Sequence, residues 1–151
     1  MKVLWPVVLA LVVWLSLPLS AQSETSQKQA DALFKEGYSL YQQYYNPDAF
    51  VKFKQAAQLG HVEAAYYAGN ILRRNHTHIT EEAEQFYRQA AEGGDVYAML
   101  RLARKGNFCG TLRNCDYDRE EWLERALDLV LPKAEAGDLE AMKDAYSVYR
   151  V

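Results

Sequence analysis

The sequence has little cysteine, glycine or proline, and neither sign of charge dominates it. Two Cys, eight Gly and four Pro among 151 residues exclude a disulfide-dense scaffold and a collagen-like chain. A hydrophobic fraction of 50% beside 25% charged residues excludes a fully disordered chain. The net charge of −3 provides no bulk positive field of the kind that nucleic-acid binding needs. The composition is that of one ordinary globular domain.

The apolar residues are concentrated near the N-terminus. A basic second residue is followed by an apolar stretch over Val3–Leu15, then by Pro18 and by small residues around Ala21 and Ser23. This order is typical of a secretory signal peptide, so we predict a signal peptide over residues 1–23, with cleavage after Ala21 or Ser23. The alternative is an uncleaved membrane anchor. The stretch is at the short limit for crossing about 30 Å of hydrocarbon, and Pro18 is badly placed within it.

Both cysteines lie in one short polar segment. An exported chain meets oxidising surroundings, so we expect Cys109 and Cys115 to form a local disulfide, which contributes about 2 kcal/mol by loop entropy. A metal site needs more ligands than this segment offers. A redox-active pair normally has two intervening residues rather than the five found here. We therefore predict a structural role for the pair.

The rest of the chain, residues 24–151, repeats itself. Phe53–Ala65 aligns with Tyr87–Met99 at an offset of 34 residues, and Lys133–Met142 forms a third copy at a further offset of 43. One glycine position and three alanine positions coincide in all three copies: Gly60, Gly94 and Gly137; Ala49, Ala83 and Ala126; Ala57, Ala91 and Ala134; Ala64, Ala98 and Ala141. A period of this size indicates a solenoid of stacked helix hairpins.

Each unit is predicted to contain a leading and a returning helix. The units cover about 26–60, 61–94, 95–137 and, in part, 138–151. We predict leading helices at about 26–45, 61–74, 95–106 and 138–150, and returning helices at about 47–59, 80–92 and 118–136. The repeated glycine suits a left-handed helix stop, and the Asp95 and Asp138 that follow it suit an N-cap, with His61 in their place in the second unit. No segment alternates with the period of a strand, so the predicted fold class is all-α, an α/α superhelical solenoid of about 3.5 helix-turn-helix repeats.

Two strings carry a resemblance to a known family. Ala83–Ala98 and Gln55–Gly69 are similar to Sel-one-like repeats (SLR), relatives of the tetratricopeptide repeats. The aromatic pair that this family places before Arg-x-Ala-Ala falls on Phe86 and Tyr87. The similarity extends over nearly all of residues 24–151, so we expect an SLR protein.

The third unit departs from the family pattern. Leu129 and Val130 replace the aromatic pair, and Pro132 inside the returning helix predicts a kink. A nine-residue insertion, measured from Ala103, separates the two helices of this unit and contains both cysteines. The fourth unit starts at Leu139 and lacks a returning helix in this sequence. We expect Tyr146, Val148, Tyr149 and Val151 to lack a covering helix, so that either the natural chain continues or this apolar side recruits a partner.

The resemblance implies a protein-binding groove on the concave side of the solenoid. In the SLR pattern, variable positions of the leading helices face this groove. By register they are Asp31, Lys35, Tyr38, Gln42, Tyr67, Asn70, Arg74, Tyr97, Arg101, Arg104 and Lys105. Tyrosine and arginine are enriched at interface hot spots, and the late basic residues favour a partner with an acidic patch. The alternative is that many of the tyrosines, Tyr66 and Tyr87 above all, pack between helices.

Little in the sequence points to catalysis. It contains no G-x-S-x-G, no H-E-x-x-H and no phosphate-binding glycine loop. His76 and His78 have no acidic or thiol partner at a useful spacing for a metal, so we expect a solvated loop there. We predict no enzymatic activity, no cofactor, no metal and no nucleic-acid partner. Membrane contact is expected only through the signal segment, if that segment is not cleaved.

The resemblance also implies a function. Small exported SLR proteins include immunity proteins that neutralise antibacterial effectors of type VI secretion, notably phospholipases that act in the periplasm. We therefore expect a periplasmic, protein-binding immunity protein. The alternative is a secreted or periplasmic adaptor or host-interaction SLR protein. An enzyme is the third alternative, since β-lactam binding has been claimed for cysteine-rich relatives, but those carry a cysteine pair per repeat and this chain carries one pair in all.

Overall fold

The chain is helical throughout the part that the structure, a computed structural model, describes: residues 19–75, 80–104 and 119–151. Seven α-helices and no strand occur within these ranges. They are α1 (Leu19–Gln42), α2 (Asn46–Gln58), α3 (Val62–Asn75), α4 (Glu81–Glu92), α5 (Val96–Ala103), α6 (Arg119–Glu135) and α7 (Leu139–Tyr149). The all-α prediction is confirmed for the described residues, and helices α2 to α7 begin and end within a few residues of the predicted positions.

Helix α1 differs from its prediction at both ends. Its described part runs from Leu19, ahead of the predicted start near residue 26, and both predicted cleavage positions fall within it. Ala30 is its first buried residue among those whose side chains are described, so cleavage after Ala21 or Ser23 would leave its packed portion intact. Its predicted end near residue 45 is replaced by an end at Gln42, because a tight turn precedes the Pro47 of the next helix.

The repeated glycines end the returning helices in one common geometry. Gly60, Gly94 and Gly137 have φ of 90°, 95° and 92°, as the predicted left-handed stop requires. In each case the residue after the glycine donates its N–H to the carbonyl five residues before it at 3.0 Å, which is the Schellman arrangement. The turn after α1 has the same hydrogen bonds, from Tyr45 N–H to Leu40 O at 3.0 Å, but places Tyr44 in the left-handed position with φ of 66°.

The residues predicted to cap the following helices do so. Asp95 accepts the N–H of Ala98 at 2.7 Å, and Asp138 accepts the N–H groups of Glu140 and Ala141. His61 performs the same task with its ring, since Nδ1 accepts the N–H of Ala64 at 3.1 Å. The prediction that His61 takes the cap position in the second unit is therefore confirmed.

Each helix packs most extensively against the helix before it and the helix after it. Further contacts skip one helix. The rings of Phe34 in α1 and Tyr67 in α3 lie 6.0 Å apart, and those of Phe50 in α2 and Phe86 in α4 lie 6.1 Å apart. Gln89 Nε2 in α4 also donates to the Ala57 carbonyl in α2 at 2.6 Å. The leading helices α1, α3, α5 and α7 will be called the odd helices, and α2, α4 and α6 the even helices.

Alanine is the commonest residue of the core, and most of the repeated alanines belong to it. Eight of the nine repeated alanines are buried, and Ala134 is half-buried. Small side chains at these positions let the backbones of paired helices approach closely. Larger groups fill the space between hairpins, and the largest fully buried side chains are Tyr87, Phe53, Ile71 and Met99.

Helix α7 presents two different apolar faces. Ala141, Ala145 and Val148 are buried against the preceding helices. A second stripe is exposed: Leu139, Met142, Tyr146 and Tyr149. The expectation of an uncovered side is confirmed for the two tyrosines, but it is wrong for Val148, which faces inward. Val151 is half-buried and packs on the core.

Several predictions concern residues outside the described ranges. The apolar stretch up to residue 18, the loop with His76 and His78, Lys105, and the pair Cys109 and Cys115 all lie there. Helix α6 continues through Pro132 to Glu135, and the kink remains a prediction. Within residues 19–75, 80–104 and 119–151, no helix combines the length and apolarity needed to cross a membrane.

Candidate protein-binding face

A row of tyrosine rings connects the odd helices. Tyr38 in α1 meets Tyr67 in α3 edge-to-face, with ring centroids 5.5 Å apart. Tyr66, the neighbour of Tyr67, lies 6.2 Å from Tyr97 in α5. Tyr97 Oη donates to Asp144 Oδ1 in α7 at 2.8 Å, so the row ends on a carboxylate. We call Tyr38, Tyr67, Tyr66 and Tyr97 the tyrosine row. Three of its members, Tyr38, Tyr67 and Tyr97, are among the groove residues predicted from the register, which we call the predicted set.

Tyr67 is held more firmly than a purely surface residue would be. Its ring stacks on Phe53 of α2 at 5.2 Å with an interplanar angle of 20°, and it is half-buried. Burial, together with the neighbouring Tyr38, raises the pKa of Tyr67 far above its ordinary value. The structure thus places Tyr67 between hairpins, with part of its surface exposed.

Asn70 has an internal partner. Tyr87 Oη donates to Asn70 Oδ1 at 2.9 Å, and Tyr87 is fully buried. Burial raises the pKa of Tyr87 to about 12, although Arg101 and Arg73 oppose the shift. Tyr87 therefore packs between helices, as the alternative interpretation of the tyrosines predicted. It also uses part of the hydrogen-bonding capacity of Asn70.

Of the basic members of the predicted set, Arg74, Arg101 and Arg104 lie at the C-terminal ends of α3 and α5, and Lys35 is exposed within α1. Arg74 is exposed, and its guanidinium lies 5.2 Å above the ring of Tyr41. Arg101 is half-buried and Arg104 is exposed. Cations are favoured at helix C-termini by the dipole, which accounts for part of this clustering. Gln42 is exposed at the end of α1.

The N-terminal ends of α3 and α5 border an open groove of about 510 Å³. Its lining consists of Val62, Glu63, Tyr66, Tyr67, Gly93, Gly94, Asp95 and Tyr97. Burial raises the pKa of Asp95 to about 6, against the effect of the Ala98 N–H bond and with support from Glu63 and Asp144. We call this volume the α3–α5 groove. It combines tyrosine rings with two carboxylates and contains no basic lining residue.

The hydrogen bond to Asp144 raises the pKa of Tyr97 to about 12, with a further contribution from burial. The side chain is nevertheless 47% exposed, so the ring keeps a large free surface. Of the predicted set, Tyr97 is thus the residue whose hydroxyl is oriented by a neighbour while its ring stays open to solvent.

The prediction missed four residues of this face: Glu63, Tyr66, Asp95 and Asp144. The register held the signal for two of them. Asp144 aligns with Arg101 and Tyr67, and Glu63 aligns with Tyr97, all of which were in the predicted set. Tyr66 was assigned to packing, and Asp95 to capping alone. Both assignments are correct, but each residue also lines the α3–α5 groove.

Comparisons with known proteins do not extend this picture. No family model, no curated protein and no solved structure matches the chain. The SLR assignment is therefore a proposal that rests on the repeated residues. In the part of the chain that the structure describes, no group of three or more His, Cys, Asp or Glu residues is arranged to hold a metal ion.

Proposed function

We propose that residues 24–151 form an SLR-type α/α superhelical solenoid whose odd helices line a groove for another protein. The packing of each helix on its sequence neighbours supports this architecture. The contacts that skip one helix support it further, because they connect odd with odd and even with even helices. A period of 34 residues, with alanines buried at repeated positions, is what such stacking needs.

The tyrosine row is the observation that carries the binding function. It runs over three odd helices and ends on Asp144 of the fourth, so one partner segment would contact every unit. Tyrosine contributes a large contact area for little loss of side-chain entropy, and arginine is similarly enriched at interface hot spots. The partner-binding residues are those of the predicted set, to which Tyr66, Glu63 and Asp144 are added.

We further propose a non-enzymatic periplasmic protein, and within that class an immunity protein that neutralises a phospholipase-type effector of type VI secretion. The apolar N-terminal segment with small residues at 20, 21 and 23 supports export. The resemblance to SLR sequences supports the immunity role. The alternative is a secreted or periplasmic adaptor or host-interaction protein, which would use the same face.

Export has a direct test. The full chain is expressed in a Gram-negative host, the periplasmic fraction is isolated, and the N-terminus of the product is sequenced. We expect a mature chain that starts at Gln22 or Glu24. Retention of the uncleaved chain in the membrane fraction would contradict the periplasmic assignment.

The immunity role is tested with the lipase-like effector expected to be encoded beside this gene. Cells that produce the effector in the periplasm should survive when this chain is co-expressed, and the purified proteins should form a complex. Capture of an envelope or host protein, without protection from any effector, would favour the adaptor role instead.

The binding face is tested by charge reversal. Arg101→Glu with Arg104→Glu should weaken the complex at least tenfold while the circular dichroism spectrum and the melting temperature are retained. Lys54→Glu with Lys133→Glu on the even helices makes the same change in net charge and serves as the control. Since Arg101 is half-buried, Arg104→Glu alone provides a second variant at an exposed position. Equal affinity in all variants would remove these arginines from the interface.

A further inference from the structure

We propose that the α3–α5 groove is a subsite for the guanidinium group of an arginine side chain on the partner protein. This inference rests on the proposed function and names the partner chemistry that its face would accept. It also departs from the sequence prediction, which expected an acidic partner surface opposite the basic residues. Those residues lie at the other ends of α3 and α5, whereas the groove itself contains carboxylates and tyrosine rings.

The aromatic part of the groove suits a cation. Tyr66 lies 5.7 Å from Tyr67 in an edge-to-face arrangement and 6.2 Å from Tyr97 with an interplanar angle of 42°. The three rings therefore present differently oriented surfaces around one volume. The face of a tyrosine ring is electron-rich and attracts a cation within about 6 Å of its centroid. Tyr97, the most exposed of the three, leaves the volume accessible to a partner.

The carboxylates supply the complementary charge. Glu63, in the first turn of α3, is exposed, and no described cation lies within ion-pair distance of it. Asp95 is a half-buried lining residue whose carboxylate accepts the backbone N–H groups of Ala98 and Tyr97. A carboxylate has about four acceptor sites, so capacity for a further donor remains. Glu63 disfavours the charged form of Asp95, and a cation bound beside both carboxylates relieves that repulsion.

Among biological cations, the guanidinium group matches this combination. It is planar and weakly hydrated, so it stacks on aromatic rings at a smaller desolvation cost than a compact ammonium group. It also carries several donors in one plane, which suits acceptors on two helices. The groove is open to solvent, and its volume of about 510 Å³ is large enough to admit an arginine side chain.

The test uses short capped peptides and NMR. The probe N-acetyl-Gly-Arg-Gly-amide is titrated into the isotope-labelled protein, and its glutamate counterpart is titrated in parallel. We expect the arginine peptide to bind in the millimolar range and to shift the amide signals of Val62–Tyr67 and Gly93–Tyr97. The glutamate peptide should leave those signals unchanged. A lysine peptide should bind at least threefold more weakly than the arginine peptide.

Matched variants assign the binding to the groove. Glu63→Gln should weaken the arginine peptide at least fivefold, and Tyr97→Leu should weaken it by a similar factor. Glu36→Gln removes another exposed carboxylate, one that pairs with Lys52 at 2.7 Å outside the groove, and should have no effect. Retained affinity in Glu63→Gln, or equal shifts with the glutamate peptide, would overturn the subsite.

The outcome separates this inference from the proposed function. If the partner protein binds and Arg104→Glu weakens it, but the arginine peptide causes no shifts, the face stands and the guanidinium subsite is wrong. If the peptide binds as described and no partner protein is found in the export and protection experiments, the subsite stands and the proposed function is wrong.

Discussion

Gly69 in α3 lies against the ring of Tyr87 in α4 so closely that a Cβ placed on it would be 3.0 Å from Cε1. Gly37 and Phe53 have the same relationship one unit earlier, again at 3.0 Å. In the third unit the register puts Ala103 and Val130 at the corresponding positions, and both are buried. In that unit the glycine is replaced by alanine, and the aromatic ring opposite it is replaced by the smaller valine. The glycine-aromatic pair sets the distance between the helices of a hairpin.

Gly69→Ala is expected to destabilise the protein by about 1–2 kcal/mol. Overpacking of a tight contact costs about 1–3 kcal/mol, and the better helix propensity of alanine offsets part of that. Urea unfolding followed by circular dichroism measures the change.

The same substitution in a Tyr87→Val background provides the control for that prediction. Tyr87→Val lowers stability by itself, but it removes the ring that opposes the new methyl group. Gly69→Ala in this background should therefore be neutral or stabilising by up to about 1 kcal/mol, as the third unit suggests. An equal cost in both backgrounds would show that the ring is not the opposing group.

Tyr44→Gly is expected to stabilise the protein by about 1 kcal/mol. Tyr44 occupies the left-handed position with φ of 66°, which L-residues adopt at a cost, and its side chain is 84% exposed. Removing that side chain loses little packing and relieves the strain. Thermal unfolding measures the gain. Tyr45→Gly is the matched control, since Tyr45 has φ of −79° and the same change there should be destabilising.

Asp95→Asn should change the pH dependence of stability. Burial raises the pKa of Asp95 from 3.8 to about 6 in the folded protein. Between these values the folded state binds more protons than the unfolded state, so this group's contribution to stability is present below pH 4 and is lost as the pH rises through 6. The loss is at most about 1.4 kcal/mol per pH unit. Asparagine caps the helix without this dependence, so the variant should gain on the wild type between pH 4 and pH 7.

The matched control for that pH series is Asp138→Asn. Asp138 caps α7 through the N–H groups of Glu140 and Ala141 but is exposed. The difference between the two variants at each pH isolates the effect of burial from the effect of the cap. Parallel curves for the wild type and Asp95→Asn, from pH 4 to pH 7, would contradict the raised pKa.

We expect Cys109 and Cys115 to be joined in a disulfide in the exported protein, so that neither is a free thiol. Thiol titration of the denatured, unreduced chain measures this directly. Replacing both with serine should lower stability by about 2 kcal/mol, because the short ring no longer restricts the unfolded chain. Two reactive thiols in protein taken from the periplasm would contradict the disulfide.

The helix pattern could be predicted from the sequence because each repeat contains residues that end one helix and cap the next. Gly60, Gly94 and Gly137 require positive φ, and Asp95 and Asp138 cap the helices that follow. These are local effects, readable from one residue and its neighbours. The turn at Tyr44 escaped prediction, because a tyrosine occupies the left-handed position where the other turns have glycine, so the sequence carries no glycine signal there.

The candidate face was less readable from the sequence. Register gives the side of a helix but not its burial, so it did not reveal that Tyr67 stacks on Phe53 or that Asn70 bonds to Tyr87. It also gave the basic end of the face without the acidic groove, since Asp95 and Tyr66 already had structural explanations. Once capping explained Asp95 and packing explained Tyr66, there was no reason in the sequence to assign either residue to the groove as well.

The identical turns at Gly60, Gly94 and Gly137 make the hairpins interchangeable at their joints. A segment excised between two of these glycines and spliced in again would enter and leave through the same backbone geometry. Gene duplication or deletion would thus add or remove one hairpin while every remaining junction keeps its hydrogen bonds.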